Sequence, residues 1–119
     1  MGKEMSPYKP TIGPYAHRPG VTAADASDAF ANNVAIDMQS RDTLHIDVKV
    51  ASGSVTSATF QALFKNTRTN TWHGGDKITL TGADLPATFT IDGQARSVAI
   101  KVTALSGTTP NLDLDYTLT

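Results

Sequence analysis

The chain has 119 residues, ten basic and eleven acidic side chains, a net charge of −1 and no cysteine. That balance leaves no electrostatic footprint for a polyanion such as nucleic acid, and the missing thiols exclude disulfides, thiolate chemistry and cysteine-based zinc sites. No stretch approaches the roughly twenty apolar residues that span a bilayer, and no apolar core follows Met-Gly-Lys-Glu as a secretory leader requires, so synthesis and first use are expected in the cytoplasm.

Apolar residues make up 39% of the chain, which predicts a thin core that leans on neighbours. Seventeen Thr and a single Glu favour strands over helices. The sequence divides into two unlike parts, residues 1–33 and 34–119. In the first twenty residues Pro7, Pro10, Pro14 and Pro19 stand among Gly, Tyr and basic side chains. Each proline lacks an N–H and fixes φ, so this segment is not expected to pair into a sheet or sustain a helix. Its spacing predicts polyproline-like extended backbone, with a reach on the order of 60 Å. Tyr8, Ile12 and Tyr15 are apolar anchors, and Lys9 and Arg18 can meet carboxylates or carbonyls. These five residues are the expected partner-binding set of an extended N-terminal arm, which docks on its own domain or on a neighbour.

Residues 21–33 read as a transition. Thr22 could cap a short helix through Ala23-Ala24-Asp25-Ala26, pinned by Phe30 and stopped at Asn32-Asn33; a plain loop fits equally.

Beyond it, apolar and polar residues alternate with period two. Val34, Ile36 and Met38 lead to a turn at Ser40-Arg41-Asp42. Leu44, Ile46, Val48 and Val50 form the cleanest amphipathic strand, turned back by Ser52-Gly53-Ser54. Ala58, Phe60, Ala62 and Phe64 follow, with Leu63 an apolar exception on the opposite face. Residues 66–76 read as a hairpin or loop around Trp72. Ile78 and Leu80 form a short strand, as do Phe89 and Ile91, which ends at the Asp92-Gly93 turn signal. Val98, Ile100 and Val102 lead into a turn at residues 106–110, and Leu112, Leu114, Tyr116 and Leu118 end the chain. The expected fold is all-β, an antiparallel β-sandwich, jelly-roll or immunoglobulin-like, of about seven or eight strands.

Little in this pattern is catalytic. His17, His45 and His73 lie apart and read as solvated rather than as zinc ligands. Asp113 and Asp115 stand about 7 Å apart along a strand face, within the span of some glycosidase pairs, but any acidic strand face looks the same. There is no nucleophile elbow, phosphate-binding Gly loop or metalloprotease helix. The expectation is a non-enzymatic protein without cofactor or metal. Arg68, Asn70, Trp72 and His73 form the best small-ligand surface, with the chemistry of sugar stacking, although a lone Trp beside a hairpin more often caps a core.

The ending, from Val102 through Ser106-Gly107-Thr108-Thr109-Pro110 into the alternating Leu112-Asp113-Leu114-Asp115-Tyr116, resembles small β-sandwich virion proteins of tailed bacteriophages. There a similar Gly-Thr-Ser-Pro turn joins two late strands. The resemblance implies a capsid decoration or cement protein, or a head or tail accessory subunit. Its partners would be a major capsid protein, tail or neck subunits and copies of itself, with no nucleic acid and no membrane. The expected location is the virion, after assembly in the host cytoplasm. The alternative is a carbohydrate-binding module or adhesin tip built on the Trp72 loop.

Overall fold

The computed structural model describes residues 12–28, 31–92 and 96–119. Among these the protein is all-β and antiparallel. Its strands are β1 (Ile12–Val21), β2 (Ile36–Asp37), β3 (Thr43–Asn66), β4 (Thr71–Thr81), β5 (Ala87–Asp92) and β6 (Ser97–Leu118). They form one six-stranded hydrogen-bonded sheet in the order β1-β6-β3-β4, with β2 also on β6 and β5 also on β3. One turn of helix, α1 (Ala31–Val34), precedes β2. No helix among the described residues is long and apolar enough to cross a membrane.

The strand count is lower than expected because two pairs of expected strands are each one long strand. Leu44–Val50 and Ala58–Phe64 both belong to β3, and Val98–Val102 and Leu112–Leu118 both belong to β6. The two segments read as turns, Ser52-Gly53-Ser54 and residues 106–110, are not chain reversals. They lie opposite one another in the β3–β6 ladder, where Ser52 faces Asn111, Ser54 faces Thr108 and Val55 faces Gly107. The register slips there repeatedly, as it does wherever bulges bend a strand pair.

Glycine is required at this bend. Gly53 has φ +72°, and a Cβ there would run into the Thr109 carbonyl. Gly107, at φ +149°, is likewise packed against the Ser54 carbonyl. Local composition was therefore a sound signal of bending, but two bends in register fold a sheet instead of ending its strands.

A straight strand of 24 residues would span roughly 80 Å, yet the longest dimension of the molecule is 54 Å. The two halves of the β3–β6 ladder turn toward each other. The first half of β3 carries β5, with Ile46 opposite Phe89. The second half carries β4, with Phe60 opposite Ile78. Phe60 and Phe89 nevertheless meet, ring centroids 5.4 Å apart. The common core gathers Leu44, Ile46, Val48, Phe60, Val98, Ile100, Val102, Leu112, Leu114 and Leu118, all essentially inaccessible. Val50 departs from the expected inward row. It is 38% exposed because the alternation breaks as β3 enters the bend.

Leu63, the apolar exception, is buried in a small second cluster with Ala31 and Ala99, capped by Trp72. The helical turn that serves this cluster is α1; residues 23–26, read as either a short helix or a plain loop, are irregular. Asn32 and Asn33 lie within α1, where a stop was expected. Phe30 and Gly93 lie outside the described residues.

The largest revision concerns the arm. Ile12–Val21 is extended, but it is β1 of the domain's own sheet, paired with β6 from Leu118 back to Leu112. Proline does not prevent this, because β1 is an edge strand that needs hydrogen bonds on one side only. The register slips between Ile12 and Ala16 and again between Arg18 and Val21, the two intervals that hold Pro14 and Pro19. Val21 enters the core at 4% exposure.

Candidate protein-docking site

Folding the sheet across itself creates two lateral seams, and the described residues treat them differently. One seam separates β1 from the first half of β6. Arg18, opposite Leu114 on β1, reaches across it to Asp25. Its Nη2 donates to Asp25 Oδ1 at 2.6 Å and its Nη1 to Oδ2 at 3.1 Å. Asp25 is itself bound to β6, since its N–H donates to the Val102 carbonyl and its Oδ2 accepts from the Val102 N–H, both at 2.8 Å. Arg18 Nη1 also donates to the Ile100 carbonyl at 3.3 Å. Lys101 adds an ion pair to Asp28 at 2.7 Å. This seam is clasped shut.

The other seam, between β4 and β5, is open. A groove of about 640 Å³ runs along it, walled by Gly75, Asp76, Lys77 and Ile78 of β4 and by Thr90, Ile91 and Asp92 of β5, over Ala62 and Phe64 of β3. Phe64, Ile78 and Ile91 are half-buried, while Asp76, Lys77 and Asp92 are exposed. Apolar side chains line part of it, and the rim carries two carboxylates and one ammonium. An extended peptide with alternating apolar and basic side chains suits such a surface.

The residues expected to bind partners are distributed otherwise. Tyr8 and Lys9 lie outside the described residues. The backbones of Ile12 and Tyr15 belong to β1. Arg18 is not available to a partner carboxylate, because Asp25 holds it.

The four residues of the expected ligand set lie at the β3–β4 hairpin end. Arg68 and Asn70 sit at the tip of the β3–β4 turn, which Asn66 organises by accepting from the N–H groups of Arg68 and Thr69 at 3.0 and 3.3 Å. Trp72 is half-buried against the second cluster, and the Lys65 ammonium sits 5.8 Å from its ring centroid. His73 is exposed and within 3.4 Å of the Thr71 hydroxyl.

The acidic strand face is knitted into the sheet. Asp115 lies between His17 on β1 and Asp47 on β3, with His17 Nε2 at 3.7 Å. Asp47 accepts from the Thr88 hydroxyl, Asp113 accepts from the Gly20 N–H at 3.3 Å, and Lys49 stands opposite Asp113. Asp115 and Asp47 border a shallow hollow of about 330 Å³ with Lys49, Pro86 and Thr88; Asp113 does not. His45 bonds the Thr119 hydroxyl at 2.8 Å. Among the described residues no three His, Cys, Asp or Glu side chains are grouped to hold a metal ion.

Sequence reasoning missed the groove, because its walls come from three strands and none is chemically unusual. The available signal was Gly74-Gly75, which marks the register slip where β4 passes Gln61 and Leu63. No family model matches the chain, and neither a curated protein nor a solved structure is significantly similar to it.

Proposed function

We propose that this protein is a non-enzymatic structural subunit of a bacteriophage virion, a capsid decoration or cement protein or an accessory subunit, acting by docking to neighbouring subunits. The reading takes the folded sheet as a sandwich of two layers joined at the glycine bend. Its single strongest support is the asymmetry of the two seams. One is clasped by Arg18 and Asp25, and the other leaves a groove of mixed polar and apolar lining between strand edges. A groove of this kind suits an extended chain better than a reacting small molecule. The carboxylates and imidazoles on the outer face are engaged in cross-strand pairs, which suits a scaffold.

With Ile12–Val21 in the sheet, an arm that reaches a neighbour would be drawn from residues 1–11, shorter than the twenty expected. Many copies on a symmetric shell would supply avidity, so each contact can be weak. Gradient-purified virions from the organism that encodes the chain test the proposal. Mass spectrometry should find it in the particle band at a fixed ratio to the major capsid or tail subunit. Its absence from particles, with the protein abundant in the soluble fraction, contradicts the reading.

A further inference from the structure

We infer that residues 1–11 of one copy dock in the β4–β5 groove of a second copy. This inference rests on the assembly reading and names the contact through which it works.

Three observations carry it. The first is chemical complementarity. Residues 1–11, Met-Gly-Lys-Glu-Met-Ser-Pro-Tyr-Lys-Pro-Thr, hold two Lys against one Glu, with Met5 and Tyr8 as large apolar side chains. The groove offers the converse, Phe64, Ile78 and Ile91 beneath a rim on which Asp76 and Asp92 outnumber Lys77.

The second is length. At about 3.1 Å per extended residue, eleven residues cover roughly 34 Å, enough to line a groove walled by segments of three or four residues and still bridge between two molecules.

The third is where the described chain begins. Ile12 stands opposite Leu118, Leu118 opposite Leu44 and Leu44 opposite Ile91. Ile12 thus stands at the level of the groove, but on the opposite side of the sheet, three strand spacings or about 14 Å away. To enter its own groove the segment would have to double back across the end of the sheet past β6 and β3. Pro7 and Pro10 stiffen the chain against that reversal. A neighbouring copy presents the same groove without it, and such a head-to-tail contact repeats from copy to copy.

The test exploits the cysteine-free sequence. Full-length Lys9→Cys protein, activated as a mixed disulfide, is mixed with full-length Asp92→Cys protein. The control acceptor is Thr108→Cys, at the exposed bend. Asp92 and Thr108 are both exposed, so folding of the acceptors is not at stake. Heterodimers should form with Asp92→Cys at least tenfold faster than with Thr108→Cys. Adding Asp76→Lys to the acceptor, or raising the salt concentration, should slow them severalfold. Equal rates with both acceptors overturn the inference, as does a Lys9→Cys/Asp92→Cys double variant that closes only intramolecular disulfides. Sedimentation of the wild type separates the two levels. Self-association without preference for Asp92→Cys removes the groove and leaves the assembly reading standing. A monomer at every concentration, with no heterodimers, removes both self-docking and its groove.

Discussion

Arg18 and Asp25 form a two-pronged ion pair, 2.6 and 3.1 Å, that joins the edge strand β1 to the opposite half of β6. Both side chains are largely buried, at 18% and 10% exposure, and Asp25 also completes the β6 backbone at Val102. Removing the guanidinium leaves a carboxylate with fewer partners in a poorly solvated seam. Arg18→Ala should therefore cost about 2–3 kcal/mol, and Arg18→Lys should recover only part of it, because an ammonium cannot make the fork. Urea denaturation of the three proteins measures this. Equal midpoints would mean the clasp contributes nothing.

Gly53 is the position where the β3–β6 ladder can least tolerate a side chain. Its φ of +72° and the Thr109 carbonyl in the path of a Cβ both act against Gly53→Ala. The expected loss is at least about 2 kcal/mol. Ser52→Ala, beside it and exposed, should be within about 0.5 kcal/mol of wild type. Thermal or chemical unfolding separates the two.

Tyr116 links stability to alkaline pH. Burial pushes its phenol up to about 12, an effect that Arg18 opposes and Asp25 and Asp115 reinforce. The unfolded chain releases this proton near pH 10 and the folded one near 12, so stability is full below pH 10 and falls between those values. The loss should approach about 3 kcal/mol. Tyr116→Phe should flatten this part of the profile. Denaturation midpoints measured from pH 8 to 12 on both proteins check the sign.

Asp84 acts at the other end of the scale. It accepts from the Thr81 N–H and hydroxyl at 2.8 and 3.0 Å, the backbone bond first and the hydroxyl second holding its carboxyl below the ordinary value of 3.8. A depressed folded value means the contribution is present above the unfolded value and fades as the pH falls through the folded one. Carboxyl carbon resonances followed by NMR through acid titration should show Asp84 titrating below the ordinary value of 3.8. In Thr81→Val, which keeps the N–H and loses the hydroxyl, it should move up.

The inward rows of the fold were legible because period-two alternation is a direct consequence of strand geometry. Leu44, Ile46, Val48, Val98, Ile100, Val102 and Leu112 to Leu118 lie where the pattern puts them. Connectivity was not legible at the bend. Gly, Ser and Thr are demanded equally by a reversal and by a bulge, and only the register of the partner strand distinguishes them. Pro14 and Pro19 misled for a related reason. Proline excludes a central strand but not an edge strand, and position within a sheet is not written in one segment. Trp72 was readable as a core cap or as a platform until Ala31, Leu63 and Ala99 came together beneath it. The groove was invisible because it arises where β4 and β5, neither chemically distinctive, border the open side of a folded sheet.

Sedimentation velocity of the full chain beside a variant lacking residues 1–11 tests the docking account most directly. Among the described residues the buried core runs from Val21 to Leu118, and both proteins should unfold at closely similar urea concentrations. The account predicts that the full chain grows in sedimentation coefficient with concentration while the shortened one stays monomeric. Identical behaviour of the two, whether both associate or neither does, would contradict it.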